Sequence, residues 1–129
     1  MVKKMFIYYN PNPGKKTVGD CAIRAVARAT EQTWVQAYMA LYVQGLQMYD
    51  LPNSDAVWTA YLRSKGFTRG VIPNTCPDCY TVEDFAADHQ RGTYVLGTGT
   101  HAVAVVDGTI YDAYDSSNAI PIFYMQKGR

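Results

Sequence analysis

Residues 19–29, Gly19-Asp20-Cys21-Ala22-Ile23-Arg24-Ala25-Val26-Ala27-Arg28-Ala29, set a cysteine at the mouth of a helix that is apolar on almost every side. Only Arg24 and Arg28 interrupt that surface, so one narrow stripe of the helix can face water or a cleft. A helix apolar nearly all round is a buried one. The stretch therefore predicts a central helix packed on both sides, its N-terminus opening into a cleft.

A cysteine at that place has a chemistry of its own. Gly19 lets the backbone turn into the helix, and Asp20 is the residue type that caps one, its carboxylate accepting from an unpaired N–H of the first turn. Cys21 then falls where the free N–H groups and the positive end of the macrodipole favour thiolate over thiol. A negative Asp20 next door offsets part of that help, so a nucleophilic Cys21 needs a further cation. Protonated imidazole is the usual one, and Arg24, one turn along the same face, can add to it. Read alone, Cys21 is equally a small buried hydrophobe.

Working outward, residues 4–9 read as a short edge strand and 10–16, rich in proline and glycine, as the loop that delivers the chain to the cysteine helix. A second helix starts at Thr33, with Gln36 as its capping-box partner, and carries Trp34, Ala37, Tyr38, Leu41, Tyr42 and Leu46 at helical spacing. Ser54 caps a third helix over 55–65, closed by Gly66. Both read as structural. A short extended piece at 67–71, a turn-rich loop at 72–79 and a small helix opened by Thr81 and Asp84 follow. From there the chain is β: strands at 93–96, 101–106, 109–114 and 120–125, with Asp107-Gly108 as a strong hairpin signal. The fold class that follows is α+β, with the cysteine helix central and the other helices packed on a C-terminal antiparallel sheet.

With 129 residues, 48% of them apolar, the chain suits one domain, 1–129, with a real core. A formal net charge of +1, with both signs mixed along the chain, lacks the basic footprint of nucleic-acid or acidic-membrane binding. No apolar run reaches membrane-spanning length, and residues 1–7 lack the apolar core and cleavage site of a signal peptide. Three cysteines, an odd count, fit reducing surroundings better than a disulfide framework, so a cytoplasmic location is expected. The 11 tyrosines spread over the whole chain and read as core and edge packing.

A base for Cys21 must come from His89 or His101. His89 lies in the polar run Asp88-His89-Gln90-Arg91 and reads as exposed. His101 starts an otherwise apolar strand, where a rigid backbone can hold a base beside a carboxylate. If Asp107-Gly108 forms a two-residue type I′ turn, His101 lies opposite Tyr114 and shares its face with Asp112, diagonally across. If Gly108 forms a bulge instead, the register slips and Asp115 takes that place. Asp112 is the favoured partner of His101, with Asp115 the alternative.

The order Cys, His, Asp resembles the papain-like cysteine peptidases in the broad sense. Gly19-Asp20-Cys21-Ala22-Ile23-Arg24-Ala25-Val26 looks like the Asp-Cys-Gly-x-Ala segment opening the helix in bacteriocin-processing peptidases of ABC exporters. His101-Ala102-Val103-Ala104-Val105-Val106 with Tyr111-Asp112 looks like the His strand and aromatic-Asp ending of type III effector cysteine peptidases. The pair of motifs is similar to those of small papain-like proteins of bacteria and phages, in which Gly-Asp-Cys and a His-Ala-Val-Ala-Val-Val-Asp-Gly hairpin recur. The resemblance covers the helix and the terminal hairpin, and the middle only in kind. It implies a papain-like fold and a triad in which Cys21 attacks a carbonyl, His101 relays the proton and Asp112 holds the tautomer. Many relatives place a glutamine about six residues before the cysteine as oxyanion donor; here that position is Lys15. The backbone N–H of Cys21 supplies one donor, and Asn12 is the candidate for the second, with Asn10 or Thr17 as alternatives.

Cys76-Pro77-Asp78-Cys79 is a CxxC, a spacing that can bind zinc or cycle as a dithiol. Only His89 offers itself as a further ligand, and the pair sits in a proline-rich loop, so an incidental or structural use is expected, with no metal and no cofactor. The functional expectation is a cysteine-dependent hydrolase or acyltransferase acting on a peptide, isopeptide or side-chain amide carbonyl of a protein or peptide substrate. Without a long pro-segment before the helix, the expectation is a protein made active rather than as a zymogen. The other class is a catalytically inactive papain-like interaction protein, for example a phage-encoded inhibitor of a host protein.

Overall fold

A computed structural model describes residues 5–128. Four helices and six strands are found among them, in the order β1 (Phe6–Tyr8), α1 (Cys21–Ala29), α2 (Trp34–Met48), α3 (Asp55–Ser64), β2 (Phe67–Val71), α4 (Val82–Asp88), β3 (Thr93–Gly97), β4 (Ala102–Val106), β5 (Thr109–Asp112) and β6 (Phe123–Lys127). The mixture of helix and sheet is consistent with the α+β class.

The strands form one sheet in the order β1-β5-β4-β3-β6-β2. Every neighbouring pair is antiparallel except β1 and β5, which run parallel. The expected C-terminal antiparallel sheet is thus corrected in two respects. The sheet takes in β1, an edge strand as expected, and β2 from the middle of the chain as the other edge, and β1 pairs parallel. Pairing between strands far apart in sequence is decided by which apolar faces the helices cover, and it leaves no local signature. Of the strand expected over 4–9, Lys4 lies outside the described residues. The closing strand begins at Phe123 rather than 120 and runs on to Lys127, because Pro121 has no N–H for a ladder.

The central strands are buried on both faces. Val95, Ala102 and Ala104 pack in the core of α1, α2 and α3, whereas Tyr94, Leu96, Val103, Val105 and Ile110 pack with Val82, Phe85 and Ala86 of α4. This alternation, the period of two of a strand, gives three layers: α1 to α3, the sheet, and α4. Ala22, Ala25 and Ala29 of α1 share their core with Ala102 and Ala104 of β4, which α1 contacts. Small residues on both surfaces let the helix lie close to the strand.

The helix starts follow local rules. Thr33 and Gln36 form the capping box at α2, Thr33 Oγ1 accepting from Gln36 N (3.1 Å) and Gln36 Oε1 from Thr33 N (2.9 Å). Ser54 caps α3, and Thr81 with Asp84 caps α4. The α2 helix has no charged residue, and its outer side leaves Val35, Met39, Tyr42 and Leu46 exposed.

Asp107 and Gly108 both have positive φ, 49° and 77°, and Val106 pairs with Thr109, Val105 with Ile110 and Ala104 with Tyr111. That is the two-residue type I′ register without a bulge. Cys76 and Cys79 form a disulfide in the loop between β2 and α4, at variance with the reducing reading of the cysteine count, and Cys21 is a free thiol. Among the described residues no helix is long and apolar enough to cross a membrane.

Candidate active site

The site lies where α1 begins, β4 begins and β5 ends. Cys21 is the first residue of α1 and half-buried. His101 immediately precedes β4, its side chain 12% exposed, and it lines the same cleft as Cys21. Nε2 of its ring meets Asp112 Oδ2 at 2.7 Å, so Nδ1 is the nitrogen left for the thiol. The structure therefore brings Cys21, His101 and Asp112 together.

Asp112, 1% exposed, takes four donors. Oδ2 accepts from His101 and from Ser116 Oγ (2.7 Å), and Oδ1 from Ala113 N (2.7 Å) and Arg24 Nη2 (2.9 Å). A buried carboxylate so surrounded is satisfied as the anion. Burial alone raises its pKa, but the bonds from His101 and Ser116, the charge of His101 and the Ala113 N–H outweigh that and hold it below the ordinary value. Asp115, the alternative partner, is exposed and accepts instead from Ser117 N (3.1 Å) and Ser117 Oγ. Without the bulge, the register that would have aimed it at His101 does not occur.

The thiol and imidazole shift in opposite directions. Burial opposes the thiolate of Cys21, but hydrogen bonds from His101 and the Ala102 backbone, with the charges of His101 and Arg24, lower its pKa. Burial likewise opposes the His101 cation, yet the hydrogen bonds and charges of Asp112 and Cys21 raise it from 6.5 to about 9. Both displacements favour the thiolate–imidazolium pair.

Asp20 corrects the expected cap. It occupies the N-cap position but makes no side-chain cap bond; it is 3% exposed, with Oδ1 paired to Arg24 Nη1 and Oδ2 accepting from Trp34 Nε1 (2.8 Å). A guanidinium one turn away outbids a neutral N–H for a carboxylate. Asp20 is thereby neutralised by Arg24 instead of opposing the thiolate next to it. Arg24 itself, read as part of a water-facing stripe, is 6% exposed and bridges two buried carboxylates. Arg28 keeps partial exposure and stacks over the Tyr111 ring at 4.3 Å.

A cleft of about 280 Å³ opens beside Cys21 and His101. Its other walls are the Gly99-Thr100 turn and the start of α3, where Asn53, Ser54 and Asp55 stand over Trp58. By sequence the start of α3 is purely structural. Ser54-Asp55 carries the signature of a helix cap, and nothing in its spacing says that the cap faces a cysteine. Asn12, the oxyanion candidate, is 7% exposed in the loop before α1, and its Oδ1 accepts from Gly14 N at 2.8 Å; it is not among the residues lining the cleft. Asn10 accepts from Asn12 N (3.2 Å), and Thr17 is exposed.

His89 is not exposed as expected. It is half-buried on the α4 side, stacked on Phe85 with centroids 3.7 Å apart, its Nδ1 2.8 Å from Phe85 O. Among the described residues no cluster of three or more metal-ligating side chains occurs. Compared with family models, with curated proteins and with solved structures, the chain matches none.

Proposed function

We propose that this chain is a cysteine-dependent hydrolase or acyltransferase of papain-like type, acting on a peptide, isopeptide or side-chain amide carbonyl of a protein or peptide. The observation that carries the reading is that Cys21 and His101 share one cleft, with a 2.7 Å bond between His101 Nε2 and a carboxylate that is itself fully engaged.

In this reading Cys21 Sγ attacks the carbonyl carbon, and the charge that gathers on the oxygen is met by the N–H of Cys21 at the open end of α1. Asn12, turned into its own loop by Gly14 N and absent from the cleft lining, is not placed to add a second donor. When the tetrahedral intermediate collapses, the C–N bond breaks and His101 gives its proton to the departing amine. His101, again neutral at Nδ1, takes a proton from water or an acceptor amine, which attacks the thioester and frees the thiol. Asp112 keeps the other proton on Nε2 throughout and stabilises the imidazolium.

The test is the rate of Cys21 alkylation by iodoacetamide from about pH 4 to pH 9, located by peptide mapping, in the wild type and in His101→Ala. Reaction well below the ordinary thiol pKa of about 8.5, lost in His101→Ala, is the expected result. A Cys21 that titrates as an ordinary thiol in both proteins overturns the reading.

One observation favours a second reading, a non-catalytic interaction protein such as a phage-encoded inhibitor of a host protein. It is the uncharged α2, whose Trp34, Tyr38 and Tyr42 rings stack in a ladder (5.1 and 6.3 Å between centroids) beside the exposed Val35, Met39 and Leu46. An unreactive Cys21, together with partner binding that survives Cys21→Ala, would favour it.

A further inference from the structure

The cleft holds one carboxylate that the chemistry at Cys21 leaves unused. Asp55 opens α3, and its Oδ1 accepts from Trp58 Nε1 at 3.0 Å. Trp58 is 1% exposed and stacks on Phe123 with centroids 5.5 Å apart, so the carboxylate is held by a side chain locked in the core. Elsewhere around the site the carboxylates are consumed: Asp20 by Arg24 and Trp34, and Asp112 by its four donors. Asp55, half-buried at the cleft wall, makes no ion pair among the described residues, and none of them supplies a hydrogen bond to its Oδ2. The lining has no lysine or arginine. Its cation is His101, which the thiolate and Asp112 already hold. The fixed charge left to a visitor is therefore negative.

Size narrows the visitor further. About 280 Å³ is at or below the lower end of pockets that hold whole small ligands, and suits a single side chain. Trp58 and Ala102 close the cleft's floor, so a side chain entering it reaches the carboxylate over apolar residues.

We propose that Asp55 makes this cleft select a substrate with a cationic amino or guanidino group next to the carbonyl that Cys21 attacks, a lysine or arginine side chain being the best fit. The inference rests on the thiol chemistry proposed above and adds the substrate class to it. A helix N-terminus favours an acidic residue on its own account, which explains a carboxylate at position 55 but not one that lines the thiol's cleft without a counter-ion.

The experiment compares the second-order alkylation of Cys21 by N-acetylated peptidyl chloromethyl ketones carrying lysine, its uncharged counterpart norleucine, or glutamate, with iodoacetamide run in parallel as a probe of the thiol alone. The lysine reagent is expected to react about tenfold or more faster than the norleucine one, as a hydrogen bond to a charged group ordinarily gives, and the glutamate reagent slowest. Asp55→Asn, which still accepts from Trp58, should bring lysine and norleucine together, and raising the salt in the wild type should shrink the ratio in the same direction. An unacetylated norleucine reagent that matches lysine would assign the selectivity to an α-amino group within the same cationic class. Equal rates for lysine and norleucine in a wild type that reacts fast with iodoacetamide overturn the proposal and leave the thiol chemistry standing. A lysine preference that survives Asp55→Asn overturns it too. An ordinary thiol toward iodoacetamide removes both.

Discussion

Arg24 Nη2 on α1 donates to Asp112 Oδ1 at the end of β5 across 2.9 Å and 88 residues of chain. The same guanidinium holds Asp20, so a single side chain ties the helix that presents the thiol to the strand that carries the imidazole's partner. Its removal strands two carboxylates in the interior, since Asp20 and Asp112 are 3% and 1% exposed. Arg24→Met should cost about 3–5 kcal/mol, as breaking a buried ion pair from one side does. Arg24→Lys should not restore it, because an ammonium cannot fork to both. Urea denaturation of both variants checks this, and adding Asp20→Asn to Arg24→Met should recover part of the loss.

Asp112→Asn tests how His101 is held. The amide can accept from His101 or from Arg24 but not from both in the present geometry, and it brings no charge. An opposite charge moves a pKa by about 1–3 units, so alkylation of Cys21 at pH 6 should fall about tenfold or more. Asp115→Asn should leave it unaltered, because Asp115 serves Ser117. Equal losses in the two variants would mean that the register read from the hairpin does not govern the site.

The titration of the pair sets a dependence of stability on pH. His101 is raised from 6.5 to about 9, so its contribution is complete below 6.5 and is lost as the pH rises through about 9. Cys21 is displaced the other way, so its contribution is lost in acid and grows toward pH 9. In the wild type the two oppose each other. In Cys21→Ala only the His101–Asp112 bond remains, and the folded His101 value then lies between these limits. Unfolding free energy should fall by about 1 kcal/mol between pH 6 and pH 9, at about 1.4 kcal/mol per unit of pKa difference. Urea titrations at the two pH values measure it. Cys21→Ala/His101→Ala should be flat, and the same slope in the double variant would place its origin elsewhere.

Gly97 ends β3 opposite Phe123 of β6, and a Cβ there would overlap the Phe123 ring. The ring is buried and stacked on Trp58, so it has nowhere to turn. Gly97→Ala should destabilise the fold by about 1–3 kcal/mol, the usual cost of overpacking. Gly97→Ala with Phe123→Leu should recover part of that in thermal melts. An alanine variant as stable as the wild type would show that the sheet yields here.

What the sequence disclosed follows from the range of the forces involved. Asp107-Gly108 fixes a hairpin register within two residues, and from it the nearness of His101 and Asp112 can be counted out, as can the capping boxes at Thr33 and Thr81. Arg24 was hidden because helical spacing registers an arginine as a water-facing residue, whereas Asp20 one turn back and Asp112 arriving from the sheet together make its burial tolerable. The role of Asp55 was hidden in the same way, behind a cap pattern that is locally complete. The edge character of β1 was legible, but the partners of β1 and β2, more than 50 residues away, were not, since no window of sequence contains both.

The parallel pairing of β1 with β5 sets a timetable for a chain leaving the ribosome. Phe6, Ile7 and Tyr8 emerge before the thiol, yet their partners are Ile110, Tyr111 and Asp112, and Tyr9 N donates to Asp112 O at 2.7 Å. Apart from Arg24, each group that lowers the pKa of Cys21 belongs to residue 101 or 102. The helix can therefore be made before most of the groups that favour the Cys21 thiolate exist, and it meets them only after nearly all of these residues have been added.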